Sequence, residues 1–312
     1  MYNEITFWIV FAIIAAIIIF IDLYATEHRQ GKLGLKRSIM WSGIWICTAL
    51  LFFAAIHFFL FKGPQRSLEF ITGYLIEYSL SVDNLFVFLM IFKVMGIATE
   101  NQPHILKWGI LSAIVFRIIF ILIGVGLLNL FQPIIYIFGL ILLYGAYRMA
   151  FGGDKEINLE KHPIIKFIRK YLNILPDYKG KKFFTKRSGT IYATPLFLTF
   201  LLIESSDIVF AVDSIPAIIA ITRDTFVIIT SNIFAILGLR ALYFALAGIV
   251  DLFTYLKSGV AIILLYVGLK MMLSDIYHIP TEISLGIIIA LIAGSIILSL
   301  IHRKTATIDK SE

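Results

Sequence analysis

The chain has 312 residues, of which 60% are hydrophobic and 15% are charged, and its mean hydropathy is +0.93. A soluble domain carries about 25% charged residues, so this composition excludes an ordinary soluble protein. Because long apolar runs recur along the chain, it predicts a polytopic membrane protein. The single cysteine, Cys47, excludes a disulfide framework or a cysteine metal cluster within the chain. The net charge of +7 lies mainly in a few loops, which indicates membrane topology and no nucleic-acid partner.

The apolar runs predict an all-α fold with about nine transmembrane helices, since about 20 residues cross the hydrocarbon. The eighth span is the shortest of them. The predicted spans are 5–23, 39–61, 68–92, 108–130, 133–151, 192–219, 226–248, 258–273 and 283–301.

The distribution of lysine and arginine predicts the orientation. With an external N-terminus, the cytoplasmic segments carry twenty of these residues, and the external loops carry three, Lys62, Arg66 and Arg223. Cytoplasmic loops are the ones enriched in positive charge. We therefore expect a multi-pass protein of the cell inner (plasma) membrane, surrounded by the lipid bilayer, with its N-terminus outside and its C-terminus in the cytoplasm.

The one long loop, 152–190, is basic and is predicted to be cytoplasmic. Its segment HPIIKFIRKYLNILP has apolar residues at helical spacing, which indicates an amphipathic helix on the inner membrane surface. An ordinary packed loop helix is the alternative. The residues on the apolar face are Ile164, Ile168, Tyr171, Leu172 and Leu175.

Two apolar stretches share one pattern of polar residues: an acid, five residues, an aspartate, then a side chain with an amide or hydroxyl oxygen. Such a shared spacing is unexpected in segments that are otherwise hydrophobic. The polar residues are Glu77, Asp83 and Asn84 in YLIEYSLSVDNLFVF, and Asp207, Asp213 and Ser214 in IESSDIVFAVDSIPA.

The correspondence continues beyond these stretches, since Arg117 matches Arg240 and LLYGAYRM matches LLYVGLKM. We therefore predict that helices 3–5 and 6–8 are two copies of one three-helix unit, with chance similarity as the alternative. Three is odd, so the copies enter the membrane from opposite sides and form an inverted-topology repeat. The resulting divisions are 1–67 with two helices, 68–151 with the first unit, 152–190 with the loop, 191–275 with the second unit, and 276–312 with the last helix and tail.

Carboxylates within the predicted spans are costly, at about 2.5–3.5 kcal/mol each near the bilayer centre. We expect them to face an interior cavity, where Arg117, Arg240 or a bound cation offsets their repulsion. The alternatives are salt bridges with a purely structural role and protonation of the acids. The five carboxylates are Glu77, Asp83, Glu204, Asp207 and Asp213.

With the amide of Asn84 and the hydroxyl of Ser214, these carboxylates form a set of hard oxygen donors. Such a set suits Mn²⁺, Mg²⁺ or Ca²⁺ better than zinc or copper. Pro216 predicts a helix break, because it cannot donate to the carbonyl of Val212, and this carbonyl would become a further ligand beside Asp213. A kink that serves only packing is the alternative.

The chain resembles the TerC family of integral membrane proteins, including its Alx-type members. The matching stretches are IEYSLSVDNLFVF, GKKFFTKRSGTIYATPL, IESSDIVFAVDSIPAI and TSNIFAILGLRALYF. The resemblance covers nearly the whole chain and implies that the family's acidic site comprises the same five carboxylates. The family is linked by name to tellurium resistance, and the resemblance implies export of manganese.

These observations together lead us to expect a secondary transporter that exports divalent cations, above all Mn²⁺, with proton exchange as a coupling. Mn²⁺ would be the transported substrate, and no permanently bound cofactor is expected. No Walker motif, HExxH motif or nucleophile–base pair is present, so we expect no ATPase and no enzyme. The alternatives are a non-transporting membrane assembly factor, which docks unknown protein partners on the basic loop, or another tellurium-resistance-associated membrane protein.

The predicted orientation can be tested by cysteine labelling in a Cys47→Ser background. A thiol reagent that cannot cross the membrane, added to intact cells, should label Arg223→Cys, because the 223–224 turn is predicted to be outside. It should leave Gly180→Cys unlabelled, because the 152–190 loop is predicted to be inside. External labelling at position 180 would overturn the topology.

Overall fold

A computed structural model describes residues 4–25, 34–131, 133–151, 173–175, 180–187, 190–247, 255–273 and 279–308. This part of the chain is dominated by ten α-helices, which we number in chain order. They are α1 Glu4–Ala25, α2 Leu35–Phe59, α3 Gly63–Val94, α4 Gln102–Leu130, α5 Ile134–Phe151, α6 Pro195–Ile219, α7 Thr225–Leu237, α8 Leu239–Ala247, α9 Leu256–Met272 and α10 Thr281–Ile308.

The predicted class, an all-α polytopic membrane protein, is confirmed. Seven of the described helices are long and apolar enough to cross a membrane, and α9 is a shorter apolar helix. The predicted span 226–248 is not one helix: α7 and α8 are bent by 40° around Gly238 and together form an eighth candidate span. Glycine has a poor helix propensity, and breaks at such residues are a usual cause of bending.

A small sheet precedes α6, within a region where the sequence predicts a loop and the start of a helix. Strand β3 (Thr190–Ala193) lies between β1 (Asn173–Ile174), which runs parallel to it, and β2 (Phe184–Arg187), which is antiparallel. The predicted start of the sixth span at 192 is therefore wrong. The helix begins at Pro195, because proline suits the first helical position, where no backbone donor is needed.

The end of the predicted amphipathic helix also needs correction. Residues 173–174 form β1, and the backbone N–H of Leu175 donates to the carbonyl of Ala193 at 3.0 Å. Pairing with β3 satisfies these backbone groups, so the tertiary environment prevails over the helical spacing of the side chains. The remainder of that predicted helix, 162–172, lies outside the described residues.

Helix α7 is the centre of the bundle. Every residue from Phe226 to Leu237 is buried, which is the property of a helix enclosed on all sides. Helix α3 packs along α7, and α1 and α2 cover it with aromatic rings. Phe7 and Trp8 of α1 meet Phe226 edge to face at centroid distances of 6.4 and 5.0 Å. These contacts keep lipid away from the polar side chains that lie behind them.

Packing between the two predicted units follows a paired pattern. Helix α3 packs against α7 as α6 packs against α4, while α3 contacts α6 and α5 contacts α9. The predicted repeat makes α3 equivalent to α6, α4 equivalent to α7, and α5 equivalent to α9. Under this correspondence the α3–α7 contact is equivalent to the α6–α4 contact. The α3–α6 and α5–α9 contacts are each equivalent to themselves. This pattern is compatible with the inverted repeat, which stays a prediction.

Glycines bring α5 and α9 into close approach. A Cβ atom built on Gly268 would lie 3.1 Å from the carbonyl oxygen of Gly139 and 3.1 Å from the Leu143 side chain. The backbone of one helix cannot move away without separating the two helices, so neither Gly139 nor Gly268 has room for a larger residue. Small residues at such contacts are the usual means of close helix packing in membranes.

We predict that Gly268→Val lowers the free energy of unfolding by about 1–3 kcal/mol through overpacking. The measurement is denaturant unfolding of the purified protein in detergent. Gly126→Val in α4 is the matched control, because a Cβ there meets no atom within 4 Å. Equal stability of the two variants would contradict the close α5–α9 contact.

Candidate functional site

A buried arginine joins the two predicted repeat units near the middle of three membrane-spanning helices. The guanidinium of Arg117, on α4, is 1% exposed. Its Nη1 lies 2.6 Å from Oε1 of Glu77 on α3, and its Nη2 lies 3.4 Å from Oδ1 of Asp207 on α6. The two carboxylates are the residues that the sequence places in equivalent positions, and one guanidinium neutralises part of the charge of both.

Neutral side chains complete this cluster. Nη1 of Arg117 donates to Oγ of Ser214 at 2.7 Å and to Oδ1 of Asn232 at 3.3 Å. Asn232 in turn donates through Nδ2 to Oε2 of Glu77 at 3.3 Å, and the Ser81 hydroxyl donates to Oε1 at 3.2 Å. Glu77 therefore accepts from three side chains, which is how a fully buried carboxylate is accommodated.

Glu204 lies in the same helix as Asp207, one turn nearer the predicted cytoplasmic end, and its situation is different. Both carboxylate oxygens are buried without a hydrogen-bond donor among the described residues. The Ser112 hydroxyl of α4 lies beside the carboxylate, but it donates to the carbonyls of Trp108 and Gly109 at 2.7 and 3.1 Å. A buried carboxylate without donors is costly, so Glu204 is a group that a cation or a proton would stabilise.

The other predicted ligands occupy the same two helices. Asn84 is buried in α3. The backbones of Asp83 and Asp213 belong to α3 and α6, and their side chains lie outside the described part of the structure. Among the side chains that are described, no three His, Cys, Asp or Glu residues are grouped to hold a metal ion. In this arrangement the carboxylates of Glu77 and Asp207 are directed to Arg117.

Arg240 does not lie where the sequence places it. The expectation that it offsets the central acids is corrected, because its Nε forms an ion pair with Oδ2 of Asp22 at 3.0 Å, and its Nη2 also donates to the Asp22 carbonyl. Asp22 belongs to α1, which is outside both predicted units. Sequence comparison of the two units cannot reveal this partner, since α1 has no counterpart in the repeat.

Pro216 does not break its helix, so the predicted break is corrected as well. Helix α6 continues through Pro216 and ends at Ile219. Proline removes one backbone hydrogen bond, to Val212, but it lies within one turn of the C-terminus, where few later bonds depend on it. Among the described spans, the marked break is at Gly238.

Asn232 and Ser81 are site residues that the sequence reasoning missed. Asn232 is fully buried on α7, where it connects Arg117 to Glu77. An asparagine inside the apolar run TFVIITSNIFAIL is the signal that could have indicated it, because a polar side chain within a span faces the bundle interior. Ser81 follows Glu77 by one helical turn and therefore lies on the same face.

Comparison with known proteins identifies the family of this chain. Residues 62–307 match the integral membrane protein TerC family. The chain belongs to the TerC family. The protein named "Putative membrane-bound redox modulator Alx" from Escherichia coli K12 is 42% identical over 299 residues, which are 94% of this chain and 93% of that protein.

Other relatives carry less informative names. An uncharacterized membrane protein of Myxococcus xanthus is 42% identical over 299 residues, or 96% of this chain and 93% of its own length. One from Rickettsia felis is 40% identical over 296 residues, or 95% of this chain and 98% of its own length. No solved structure matches the chain. The family match includes α3 to α9, which contain the whole cluster around Arg117.

The pairing of Arg117 with Glu77 can be tested by a double-mutant cycle. We predict that Arg117→Gln or Glu77→Gln alone lowers the free energy of unfolding by about 3–5 kcal/mol, because each leaves a buried charge without its partner. The double variant should lose much less than the sum. As a control, Arg240→Gln and Glu77→Gln should be additive within about 0.5 kcal/mol, because these residues share no partner. Additivity of the Arg117–Glu77 pair would contradict the interaction.

Proposed function

We propose that this protein is a secondary transporter that exports divalent cations, above all Mn²⁺, through the site around Arg117. The observation that carries the proposal is a guanidinium held between Glu77 and Asp207, at 2.6 and 3.4 Å, within the membrane interior. A carboxylate pair contributed by two helices of opposite direction is a suitable midplane binding site in a transporter.

Arg117 acts in this proposal as a resident positive charge. Two buried carboxylates without a cation would repel each other and would have lost their hydration, so the empty site needs a substitute. A divalent cation brings two charges and binds the same oxygen atoms. It would therefore displace the guanidinium, and the guanidinium would return when the cation leaves.

The ligands of the cargo would be oxygen atoms from both predicted units. Glu77 and Asp207 supply carboxylates, Ser214 supplies a hydroxyl beside them, and Asp83 and Asp213 are the further acids of the two motifs. Oxygen donors favour Mn²⁺, Mg²⁺ or Ca²⁺ over softer metals. The choice of Mn²⁺ and the outward direction come from the resemblance to the TerC family.

Protons are the counter-ion that the chemistry supports. Metal binding requires deprotonated carboxylates, so release of the metal and uptake of protons are linked. Glu204, which is buried without a hydrogen-bond donor among the described residues, is the carboxylate best placed to carry such a proton. The protein would reside in the cytoplasmic membrane, with the basic 152–190 loop inside.

Other functions would use other parts of the chain. A non-transporting assembly factor would depend on the basic loop and would not need the central acids. The name of the Alx relatives describes a redox role for those proteins. In this chain Cys47 is the sole cysteine, so it has no second thiol with which to form an internal disulfide.

Flux of Mn²⁺ in proteoliposomes tests the proposal. Asp83→Asn and Asp213→Asn keep the size of the side chain and remove the charge, so we predict that each alone lowers Mn²⁺ flux at least tenfold. The double variant should be little worse, because residues that act as a unit are not additive. Glu100→Gln, which changes an exposed loop carboxylate, should transport normally.

Three outcomes would contradict the proposal or the site shared by the two predicted units. If the wild-type protein moves neither Mn²⁺ nor a competing divalent cation, it is not this transporter. If the loop lysines are needed in cells while both aspartates are dispensable, the assembly factor is favoured. Loss of flux in Asp213→Asn but not in Asp83→Asn would argue for a site within α6, built from Glu204, Asp207 and Asp213.

A further inference from the structure

A cavity of about 480 Å³ lies at one end of the bundle, and none of the residues that bind Arg117 lines it. Its wall is formed by the starts of α3, α5 and α10, the turn from α6 into α7 and the end of α9. All of these helix ends are predicted to be external. Lys62 and Arg223 line the cavity and are exposed, so it opens to the surface at that end of the bundle.

Positive charge predominates in the lining of this cavity. Four basic side chains and two carboxylates line it. One of each is already paired, because Nε of Arg66 lies 2.8 Å from Oδ2 of Asp224, and Nη2 of Arg66 lies 2.9 Å from Oε2 of Glu4. The remaining basic side chains form no ion pair with a described residue. They are Lys62, Arg223 and Lys270.

Lys270 differs from the other two basic side chains in being buried. It is 8% exposed at the end of α9, and its Nζ donates to Oγ of Ser284 at 2.9 Å. That hydroxyl also accepts from Tyr266 at 3.0 Å and donates to the Pro280 carbonyl at 3.2 Å. Ser284 is the sole acceptor that the described residues offer to an ammonium with three donors. A buried charge without a counter-charge is costly, so an anion in the cavity would stabilise Lys270.

The second carboxylate of the lining, Glu69, is bound by neutral groups. Its Oε1 accepts from Nε2 of Gln65 at 2.9 Å, and its Oε2 accepts from the Thr222 hydroxyl at 2.7 Å. Glu69 forms no ion pair with a described residue, so its charge repels an anion in the cavity. Since the unpaired basic side chains outnumber it, the lining as a whole still attracts negative charge.

We propose that this cavity binds a phosphate group, with Lys270, Lys62 and Arg223 as the side chains that hold it. Phosphate presents several acceptor oxygens, so one group can accept from two ammonium ions and a guanidinium at once. The planar guanidinium also matches two phosphate oxygens in a bidentate contact. The inference goes beyond the proposed cation transport and does not depend on it.

The same phosphate chemistry has two sources, the headgroup of an anionic phospholipid and free inorganic phosphate. Basic pockets between transmembrane helices are known to bind lipid headgroups, and this cavity lies where the predicted spans end. Its apolar lining residues would accommodate the glycerol end of a lipid beside the phosphate. These residues include Ile135, Ile219 and Ile279.

Protection of a cysteine in the cavity tests the inference on the purified protein in an uncharged detergent. In a Cys47→Ser background, an uncharged maleimide should label Ala220→Cys, which lines the cavity. Inorganic phosphate should slow this labelling at least threefold. Sodium chloride at the same ionic strength should not, because it screens charge without occluding the thiol.

A second arm of the experiment distinguishes the two sources. Dioctanoyl phosphatidylglycerol, added to the same micelles, should also slow the labelling of Ala220→Cys at least threefold, because it presents a phosphate with an attached lipid. The control is dioctanoylglycerol, which has the same acyl chains and no phosphate, and it should leave the labelling rate unchanged.

Charge variants should shift the protection in opposite directions. Lys270→Gln should raise the phosphate concentration that gives half-maximal protection at least threefold, while Lys270→Arg retains most of the affinity. Glu69→Gln should lower that concentration at least threefold, because a repelling charge is lost. Arg223→Gln, at an exposed position, repeats the test where Lys270→Gln fails to fold. Lys93→Gln, an exposed lysine at the other end of α3, is the matched control and should change nothing.

Each outcome bears on the inference. Protection by the lipid but not by inorganic phosphate would assign the site to a lipid headgroup, and the reverse would assign it to a free anion. Absence of protection by either probe would overturn the inference, and so would equal protection by sodium chloride or dioctanoylglycerol. Weaker protection in Glu69→Gln would also overturn it, because it would indicate a ligand with a positive group.

Discussion

A charged guanidinium can lie inside a membrane protein only where carboxylates and hydrogen-bond acceptors replace its water. Arg117 meets this requirement with Glu77, Asp207, Ser214 and Asn232, which come from three other helices. Because each partner would be costly to bury without the others, the cluster fixes how α3, α4, α6 and α7 lie against one another. The arrangement of the bundle and the chemistry of the site therefore depend on the same contacts.

The surrounding structure keeps these charges away from lipid. Helix α7 is buried from Phe226 to Leu237, and aromatic side chains of α1 and α2 cover it. Elsewhere in the bundle, Gly139 and Gly268 let α5 and α9 approach closely. The effective dielectric constant around an enclosed polar cluster is lower than around an exposed one. This strengthens the attraction between the guanidinium and the carboxylates, and it also strengthens the repulsion between the carboxylates.

Arg117 and Arg240 have matching positions in the two predicted units but different partners. Arg117 bridges the units, whereas Arg240 binds Asp22 of α1 and so attaches the N-terminal helix to the second unit. The two matching arginines therefore make different contacts in the structure. One arginine occupies the proposed cation site, and the other stabilises the bundle at its edge.

The sequence by itself determined the membrane class, most of the span positions and the burial of Glu77, Asn84, Glu204, Asp207 and Ser214. These follow from the cost of placing charge in hydrocarbon, which acts on every segment separately. It also indicated that Glu77 and Asp207 are related, because their spacing to the next aspartate is the same.

Only the tertiary structure decided which charges meet. Asn232 binds Glu77, which is 155 positions away in the sequence. Arg240 pairs with Asp22 near the N-terminus. These pairs form because of how the helices pack. The strand at Thr190–Ala193 likewise depends on pairing with β1 and β2, which lie elsewhere in the sequence. Long-range contacts of this kind have no period along the chain, so spacing alone could not predict them.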